Sequence, residues 1–369
     1  MIRVLQVVTD MRCGGLETML MNYYRQIDRT QVQFDFIVHR ENVGEYSEEI
    51  KKLGGNIYHL PHLNPFSRYY KKALGMFFDS HPEYQIIHVH QDCLSSVILK
   101  VAKEHGVKTR IAHSHSSSQD KNIKYPIKLF YKRFIPRYAT NLFACSEEAG
   151  KWMFNGADFS VLNNAIDAER YIFNPQKRSE VRDSLGIASD ELLVGHVGRF
   201  SPVKNHDFLM DVFNEVQKKK EAKLLLVGKG EMQEEIKEKA KKLGLENKVI
   251  FAGLRSDVPD LMQAMDVFVL PSLYEGLGIV AIEAQASGLP CVLSDAVPNE
   301  ALLTDLVVKM SLNVPPSKWS DVIDKHSEMI RKNTYDEIRL AGYDIKDNSK
   351  KLQDYYLRLA KGKNNTCVY

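Results

Sequence analysis

The sequence predicts an α/β protein of two doubly wound domains, and three observations support this fold class. Short apolar runs typical of buried parallel strands alternate with helical stretches along the chain. The alternation pauses at a polar, proline-bearing linker at 174–179 and starts again with a strand at 192–198. A chain of 369 residues is also long enough for two domains. We expect a first domain over 1–172 and a second over 178–346.

Seven strands are predicted in the first domain, with helical stretches between them. They lie at 4–8, 34–38, 57–60, 86–90, 109–115, 141–146 and 159–162. After the first strand, Gly14 and Gly15 open a helix, and two adjacent glycines let a backbone approach a ligand closely. They do not form the G-x-G-x-x-G pattern, so a dinucleotide site is disfavoured. A simple packing turn remains the alternative.

Histidines mark the ends of two predicted strands in the first domain. They are His88, His90, His113 and His115. A metal site is disfavoured, because no tight ligand set accompanies them. A histidine at a strand end can instead donate a hydrogen bond to a substrate oxygen. His113 lies one strand step inward from His115 on the same face, which suits a supporting partner.

A basic, aromatic segment follows at 121–137. It contains no acidic residue, and Lys124, Lys128 and Lys132 recur every four residues, which places them close together on one helix face. A helix of this composition can lie on an anionic membrane surface, and the nearby run 68–72 could extend the basic patch. The alternative is a solvated basic face above an ordinary core-facing helix.

In the second domain, cations stand where the first strand ends. Strands are predicted at 192–198, 223–227, 249–255, 267–270 and 291–293. A loop is predicted at 309–319. Arg199 and Lys204 follow the first of these strands. Two cations at such a strand end suit a diphosphate, because arginine binds it bidentately and lysine acts as a point charge. Solvated loop charges are the alternative.

The strand at 267–270 leads through a glycine turn into a helix predicted at 279–286. The amides that open this helix lack partners in their own helix and carry partial positive charge, so they suit a phosphate. Glu275 lies before these amides and Glu283 lies further along the helix. Because carboxylates repel phosphate, they suit hydroxyls on either side of it. This arrangement fits a nucleoside diphosphate sugar; two surface glutamates near a helix start are the alternative.

Composition limits the classes of function. Lys and Arg (50) nearly balance Asp and Glu (47), so net charge does not favour nucleic acid as a partner. No apolar run approaches the ~18 residues that span a bilayer, and the N-terminus is predicted as a strand rather than a signal peptide. The 5 cysteines are scattered without a C-x-x-C pattern, which suits a reduced, cytoplasmic protein and disfavours a zinc site.

The stretch Pro271-Ser272-x-x-Glu275-Gly276-x-Gly278, with Glu283-Ala284 and Gly288-x-Pro290, resembles the donor-site signature of family 4 retaining glycosyltransferases. It is most similar to their bacterial capsular and exopolysaccharide branch. The resemblance implies the GT-B fold, in which two Rossmann-like domains face a central cleft. It also implies that a terminal helix within about 347–369 packs back onto the first domain.

The resemblance also assigns roles to individual residues. Arg199 and Lys204 match the pyrophosphate clamp. Glu275 is expected to orient the donor hexose, Glu283 the ribose, and His115 the sugar near the reacting carbon, so that Glu275 and His115 are the candidate catalytic residues. The other candidates are His113 behind His115, Gly14 and Gly15 in the first loop, Leu254 and Arg255 at the nucleotide base, and Gly276, Leu277, Gly278 and Ile279 in the turn.

The implied function is transfer of a hexose-type sugar from a UDP-linked donor to a glycan or lipid-linked saccharide, in capsular or exopolysaccharide synthesis at the inner face of the membrane. Retention by a glycosidase-like route needs a positioned nucleophile, and the sequence shows none. We therefore expect the family's front-face mechanism, with no metal or other cofactor. Two alternatives stay open: a nucleotide-sugar 2-epimerase of similar fold, and an inactive relative that serves as a subunit.

Overall fold

The computed structural model describes residues 1–12, 14–40, 44–116 and 123–362. Contacts divide the chain into two compact units, one made of Met1–Ile166 and the chain from Gly342 onward, the other of Asp167–Ala341. The first unit is therefore discontinuous in sequence. Its two boundaries fall a few residues before the ends expected at 172 and 346.

A seven-stranded parallel sheet forms the centre of the first unit. Its strands are β1 (Ile2–Val7), β2 (Val32–Val38), β3 (Ile57–His59), β4 (Ile86–Val89), β5 (Thr109–Ser114), β6 (Asn141–Ala144) and β7 (Ser160–Val161). They lie in the order β3-β2-β1-β4-β5-β6-β7. The direction of winding reverses between β1 and β4, and ligands of doubly wound sheets bind at such a switch point, beyond the carboxyl ends of the strands.

The second unit repeats this plan with six parallel strands. They are β8 (Leu192–Val197), β9 (Ala222–Val227), β10 (Val249–Gly253), β11 (Val267–Leu270), β12 (Cys291–Ser294) and β13 (Val307–Met310). Their order is β10-β9-β8-β11-β12-β13. The switch point of this sheet therefore lies between β8 and β11.

Helices connect the strands in both units. They are α1 (Gly15–Gln26), α2 (Ser47–Lys52), α3 (Arg68–Ser80), α4 (Ser95–Glu104), α5 (Tyr125–Lys132), α6 (Ile135–Tyr138), α7 (Glu147–Phe154), α8 (Pro175–Ser184), α9 (His206–Gln217), α10 (Gln233–Lys242), α11 (Val258–Ala264), α12 (Ile279–Ala286), α13 (Pro316–His326), α14 (Tyr335–Leu340) and α15 (Ile345–Ala360). Within the described ranges, none of them is long and apolar enough to cross a membrane.

Both faces of the first sheet are buried, as a parallel sheet requires. Adjacent residues of β1 show this, because Leu5 packs into a cluster with residues of α3 and α4, whereas Val4 packs into a cluster with residues of α1 and α15. Helix α15 contributes Leu352 and Tyr356 to the second cluster. The last described helix is therefore part of the core of the first unit.

The structure of two segments differs from the sequence prediction. The expected linker at 174–179 forms the start of α8, because Pro175 opens the helix and the side chain of Asn174 accepts a hydrogen bond from the amide of Lys177 at 3.0 Å. The expected loop at 309–319 begins inside β13, which pairs in parallel with β12. A four-residue strand at the edge of a sheet carries little periodic signal.

The basic segment also differs from expectation at one lysine. Lys124 is exposed, but Lys132 is buried, and its ammonium group donates to the backbone oxygen of Trp152 in α7. It also lies 4.3 Å from the centre of the Trp152 ring, and burial lowers its pKa. Lys132 therefore does not share an exposed basic surface with Lys124, because its side chain reaches across to α7. Lys121 lies outside the described residues.

Candidate active site

At the switch point of the second unit, the loop after β8 lies against the turn after β11. The two strands pair directly, so the segments that leave them begin as neighbours. The amide of Leu273 donates to the carbonyl oxygen of Val203 at 2.8 Å, and the side-chain amide of Asn205 donates to the carbonyl oxygen of Pro271 at 3.2 Å. These bonds hold the loop and the turn together.

Lys204 and Glu275 form an ion pair between this loop and this turn. The ammonium nitrogen of Lys204 lies 2.5 Å from Oε1 of Glu275, and the two side chains are only 20% and 9% exposed. The hydroxyl of Ser272 donates to the same oxygen at 2.6 Å, while the Ser272 carbonyl accepts from the hydroxyl of Ser294 at 2.6 Å. The carboxylate of Glu275 is therefore fixed beside a cation that can also meet a phosphate.

Helix α12 begins directly after the glycine turn. Gly278 precedes its first residue with a φ of +78°, which glycine adopts without steric strain. A glycine at this position offers no side-chain oxygen to the first amides of the helix, which leaves them suited to an anion. The side chain of Leu277 is buried and anchors the turn, whereas Gly276 is exposed.

Glu283 projects from α12 towards Tyr171, whose hydroxyl donates to its carboxyl group. Tyr171 is buried and Glu283 is half-buried. Burial raises the pKa of Glu283 to about 7, although the hydrogen bond from Tyr171 acts in the opposite direction. Ionising a buried carboxylate costs free energy. Hydroxyl groups of a ligand that donate to Glu283 would offset this cost.

Arg199 extends from the loop after β8 and is largely exposed. Its side chain is 72% exposed, and its guanidinium group lies 3.0 Å from a carboxylate oxygen of Glu231. The loop itself is held close to the end of β9, since a Cβ atom on Gly228 would lie 2.1 Å from the carbonyl oxygen of Gly198. The backbone of Arg199 is thus fixed while its side chain can turn to a ligand.

The two residues expected at the nucleotide base follow β10. The side chain of Leu254 is exposed, and Arg255 donates to both carboxylate oxygens of Asp257 at 2.7 and 2.5 Å. In the sheet, β10 lies two strands away from β8, on the side opposite β11. Leu254 and Arg255 therefore stand at the correct end of the sheet but not at the switch point itself.

Two glycines have no structural explanation within the chain. Among the described glycines, only Gly15 and Gly276 have neither a positive φ nor any atom within 4 Å of a Cβ built on them. Gly14 differs, because its Cβ would lie 2.4 Å from a carboxylate oxygen of Glu17. The backbone at Gly15 and Gly276 faces open space, which suits close approach by a ligand.

In the first unit, the strand-end histidines form a hydrogen-bonded group. Nε2 of His115 lies 2.8 Å from Nδ1 of His90, and Nε2 of His90 lies 3.0 Å from Oε1 of Gln6. The ring centre of His113 lies 4.0 Å from that of His115, with the two rings tilted by 36°, and neither nitrogen of His113 has a hydrogen-bond partner in the part of the chain that the structure describes. His115 is therefore hydrogen-bonded to His90, while His113 contacts it through its ring, and the supporting role expected of His113 stays a prediction.

Nitrogen atoms of His88, His90 and His113 lie within 4.8 Å of one another. However, the ring of His88 is inclined by only 25° to that of His90 and by 19° to that of His113. Ligands of a single ion direct their lone pairs to one point about 2 Å away, whereas stacked rings direct them along separate planes. We therefore assign no metal to this group, and the absence of a metal cofactor stays a prediction.

Sequence reasoning did not identify several residues that hold the site together. Ser272 lies inside the signature, three positions before Glu275, so its hydroxyl could have been found from the motif. Tyr171 and Gln6 belong to no local pattern. Their contacts with distant residues arise only when the chain folds.

Two parallel α/β units, each with a glycine turn at the switch point of its sheet, have the architecture of the GT-B fold. Solved structures share this fold. The Anabaena protein HepE, crystallised with UDP and glucose, has a TM-score of 0.78 and 20% identity, covering 97% of this chain and 100% of its own. Sucrose-phosphate synthase from Thermosynechococcus elongatus has a TM-score of 0.76 and 17% identity, covering 98% and 100%.

Sequence comparison gives the family. The model of Glycosyltransferase Family 4 matches residues 13–170, and that of Glycosyl transferases group 1 matches residues 177–342. The Bacillus subtilis protein named as glycosyltransferase EpsF is 36% identical over 370 residues, 96% of each chain. The Escherichia coli UDP-Gal:alpha-D-GlcNAc-diphosphoundecaprenol alpha-1,3-galactosyltransferase is 25% identical over 299 residues, 76% of this chain and 77% of its own. The chain belongs to this family of glycosyltransferases.

Proposed function

We propose that this glycosyltransferase moves a hexose-type sugar from a UDP-linked donor to a glycan or lipid-linked saccharide, with retention at the anomeric carbon, in capsular or exopolysaccharide synthesis. The observation that carries the proposal is the Lys204–Glu275 pair beside the open backbone of Gly276, at the switch point of the second sheet. The relatives add support: the E. coli protein is named for a UDP-galactose donor and a diphosphoundecaprenol-linked acceptor, and the HepE crystals contain UDP.

In this proposal the second unit holds the donor. Lys204 and Arg199 bind the diphosphate together with the amides at the start of α12. Glu275 accepts hydrogen bonds from the hexose and Glu283 from the ribose. Cations beside the leaving diphosphate stabilise the charge that develops there, which removes the need for a metal ion. The leaving phosphate then takes the proton of the acceptor hydroxyl.

The first test is a donor hydrolysis screen. Purified protein is incubated with a panel of nucleotide sugars in the presence of EDTA, and released nucleoside diphosphate is measured. We expect slow release from one donor, and loss of that release in Arg199→Ala and Glu275→Ala. The exposed Lys237, which pairs with Glu234 on α10, gives the control variant Lys237→Ala, which should keep wild-type activity.

Two other results would contradict the proposal. An isomerised nucleotide sugar without release of nucleoside diphosphate would identify a 2-epimerase. Failure to bind any nucleotide, measured by calorimetry, would identify an inactive subunit.

We also propose that an exposed surface of the first unit docks on an anionic membrane, from which a lipid-linked acceptor would be reached. We call this surface the basic apolar patch. Its exposed apolar residues are Phe66, Tyr69, Met76, Ile123 and Phe130, and its exposed basic residues are Arg68, Lys72, Lys124 and Arg133. Exposed aromatic side chains among cations are typical of proteins that lie at a membrane interface.

Side-chain contacts join the two parts of the basic apolar patch. The ring centres of Phe66 and Tyr131 are 6.2 Å apart, and the hydroxyl of Tyr131 donates to the carbonyl oxygen of Pro65 at 3.4 Å. On α5, the guanidinium carbon of Arg133 lies 5.1 Å from the centre of the Phe130 ring. The segment before α3 and helix α5 therefore form one surface.

The membrane proposal is tested by sedimentation with vesicles of anionic lipid. Exchange of Lys72, Lys124 and Arg133 for glutamate should abolish sedimentation without loss of donor hydrolysis, since all three belong to the first unit and the donor is proposed to bind the second. The control exchanges Lys237, Lys241 and Lys242 of α10 for glutamate and should sediment as wild type. Wild-type protein that stays in the supernatant would overturn the proposal.

A further inference from the structure

A chain of hydrogen bonds runs from α15 to His115 through the interior of the first unit. The hydroxyl of Tyr356 lies 2.7 Å from Nδ1 of His88 and 3.4 Å from Nε2 of Gln6. Oε1 of Gln6 lies 3.0 Å from Nε2 of His90, and Nδ1 of His90 lies 2.8 Å from Nε2 of His115. Gln6, His88, His90 and Tyr356 are all buried, so no solvent competes for these bonds.

The distances give this chain a direction. A tyrosine hydroxyl has one proton, and a separation of 2.7 Å is typical of an O–H donor, whereas 3.4 Å is long even for N–H. Tyr356 therefore donates to His88 and accepts from the amide group of Gln6. That orientation turns the carbonyl oxygen of Gln6 towards His90, which must donate to it from Nε2.

The direction fixes the tautomer of His115. A neutral imidazole has one N–H and one lone pair, and burial lowers the pKa of both His90 and His115, that of His115 to about 3. With its proton on Nε2, His90 offers a lone pair at Nδ1 and accepts from Nε2 of His115. Nδ1 of His115 is then a lone-pair acceptor, and in the described part of the chain it is buried without a hydrogen-bond partner.

We infer that Gln6 and His90 are positioning residues that hold His115 as a hydrogen-bond acceptor for the donor sugar. This inference rests on the proposed function and on the family resemblance, which implies that His115 contacts that sugar. A buried acceptor without a partner costs free energy, which a donating group on the ligand offsets. The site therefore selects sugars that present a hydroxyl or an amine at this contact, and it rejects sugars that present a carboxylate there.

Nuclear magnetic resonance of the full-length protein with ¹⁵N-labelled histidine tests the tautomer. The His115→Asn spectrum assigns the signal of His115. We expect His115 to carry its proton on Nε2 in wild type, and to lose this single tautomer in Gln6→Met. Gln33, a second buried glutamine of the same sheet that bonds Tyr24 instead, gives the control variant Gln33→Met, which should leave the His115 signal unchanged.

A proton on Nδ1 of His115 in wild type would overturn the inference, and this spectrum decides it even if Gln6→Met does not fold. The donor screen supplies an independent readout. At least one monodeoxy analogue of the preferred UDP-hexose, the one that lacks the contacted hydroxyl, should fall at least about 100-fold below the parent in kcat/KM, while an amine in place of that hydroxyl should be tolerated. This preference should shrink about tenfold in Gln6→Met and persist in Gln33→Met.

The two proposals fail in different ways. If no nucleotide sugar is hydrolysed, the proposed function fails whatever the tautomer. If a UDP-hexose is hydrolysed but each of its monodeoxy analogues serves equally well, the selection by His115 is wrong while the transferase function stands.

Discussion

At the scale of single residues, Gly15 and Gly276 distinguish what the fold requires from what a ligand requires. A glycine is normally explained by a positive φ or by a neighbouring atom that excludes a Cβ. Neither applies to these two glycines, and both follow strands that border the switch point of their sheets. Their lack of a side chain is therefore best explained by a ligand that approaches the backbone.

This argument predicts an unusual outcome for Gly276→Ala. The variant should be as stable as wild type or more stable by up to about 1 kcal/mol, because alanine restricts the unfolded chain and meets no atom in the folded one. Its affinity for UDP should nevertheless fall at least tenfold, since the new methyl group occupies the approach of the phosphate. Thermal unfolding and calorimetry measure the two effects.

Gly278→Ala is the contrasting variant. Its φ of +78° is strained for alanine, so stability should fall by about 1–2 kcal/mol. Unchanged UDP affinity in Gly276→Ala would show that no ligand approaches the turn there.

Glu283 gives a prediction with a defined pH dependence. Its pKa is raised from 4.5 to about 7 in the folded protein, so folding binds a proton between these pH values and the ionised group opposes folding above them. Glu283→Gln should therefore stabilise the ligand-free protein by about 2–3 kcal/mol at pH 8, and this gain should vanish as the pH falls towards 4.5. Chemical denaturation across this range measures the difference.

The same variant should bind UDP more weakly at pH 8, because an amide accepts hydrogen bonds from ribose hydroxyls less strongly than a carboxylate does. If the difference in free energy of unfolding between Glu283→Gln and wild type does not change with pH, Glu283 ionises normally in the folded chain.

The sequence was sufficient to find residues whose role depends on a local motif. Lys204 and Glu275 were expected to bind different parts of the donor, and the structure brings them into contact at 2.5 Å. The partners that orient His115 could not be predicted, because Gln6 and Tyr356 are 350 positions apart in sequence and meet only through the packing of α15. Periodicity identifies such residues as buried but cannot identify their hydrogen-bond partners.

At the scale of secondary-structure elements, prediction failed where the local signals were weak. The strand at 267–270 and the helix at 279–286 were predicted with their observed bounds, because proline and glycine mark their ends. Helix α8 was taken for a linker, since its ten residues are mostly polar. Arg178 and Arg182 anchor this helix to the second unit by pairing with Asp266, directly before β11.

One arginine holds the ends of two helices in the second unit. The guanidinium group of Arg331 donates to carbonyl oxygens at the ends of α11 and α12, at distances of 2.6–3.3 Å. The carbonyl oxygens belong to Met262, Gln263, Met265 and Ser287. Burial lowers the pKa of Arg331 to about 9. These carbonyls have no helical partner of their own, so the arginine replaces capping residues.

Arg331→Met should lower the free energy of unfolding by about 3 kcal/mol, because the carbonyl oxygens of Met262 and Ser287 lose their donor. Those of Gln263 and Met265 keep a donor in Arg178. Arg331→Lys should restore only part of this loss, since an ammonium group lacks the planar fork that reaches all of them. The exposed Arg339 of α14 supplies the control, and Arg339→Met should change stability by less than about 0.5 kcal/mol. Equal stability of Arg331→Met and Arg339→Met in urea titrations would refute the capping role.

At the scale of the whole molecule, the chain builds one unit from two separated segments and the other from a single one. The first unit needs α15, because Leu352, Tyr355, Tyr356 and Leu359 fill the core over β1 and β2. The second unit, Asp167–Ala341, has its own sheet and its own buried cluster. It also contains every residue proposed to hold the diphosphate and the ribose.

A fragment of residues 167–341 should therefore fold alone and bind UDP, with an affinity within about tenfold of the full chain, because its core and its phosphate-binding turn are complete. It should hydrolyse no donor, because Gly15 and His115 belong to the first unit.

The matched fragment 1–341 keeps both glycine turns but lacks α15. It should retain the unfolding transition of the second unit and lose that of the first, since the removed side chains leave a large void beneath β1. Circular dichroism melts and calorimetry with UDP distinguish these states. If fragment 167–341 folds but fails to bind UDP, essential nucleotide contacts lie in the first unit. This result would contradict the proposal that the second unit alone holds the nucleotide.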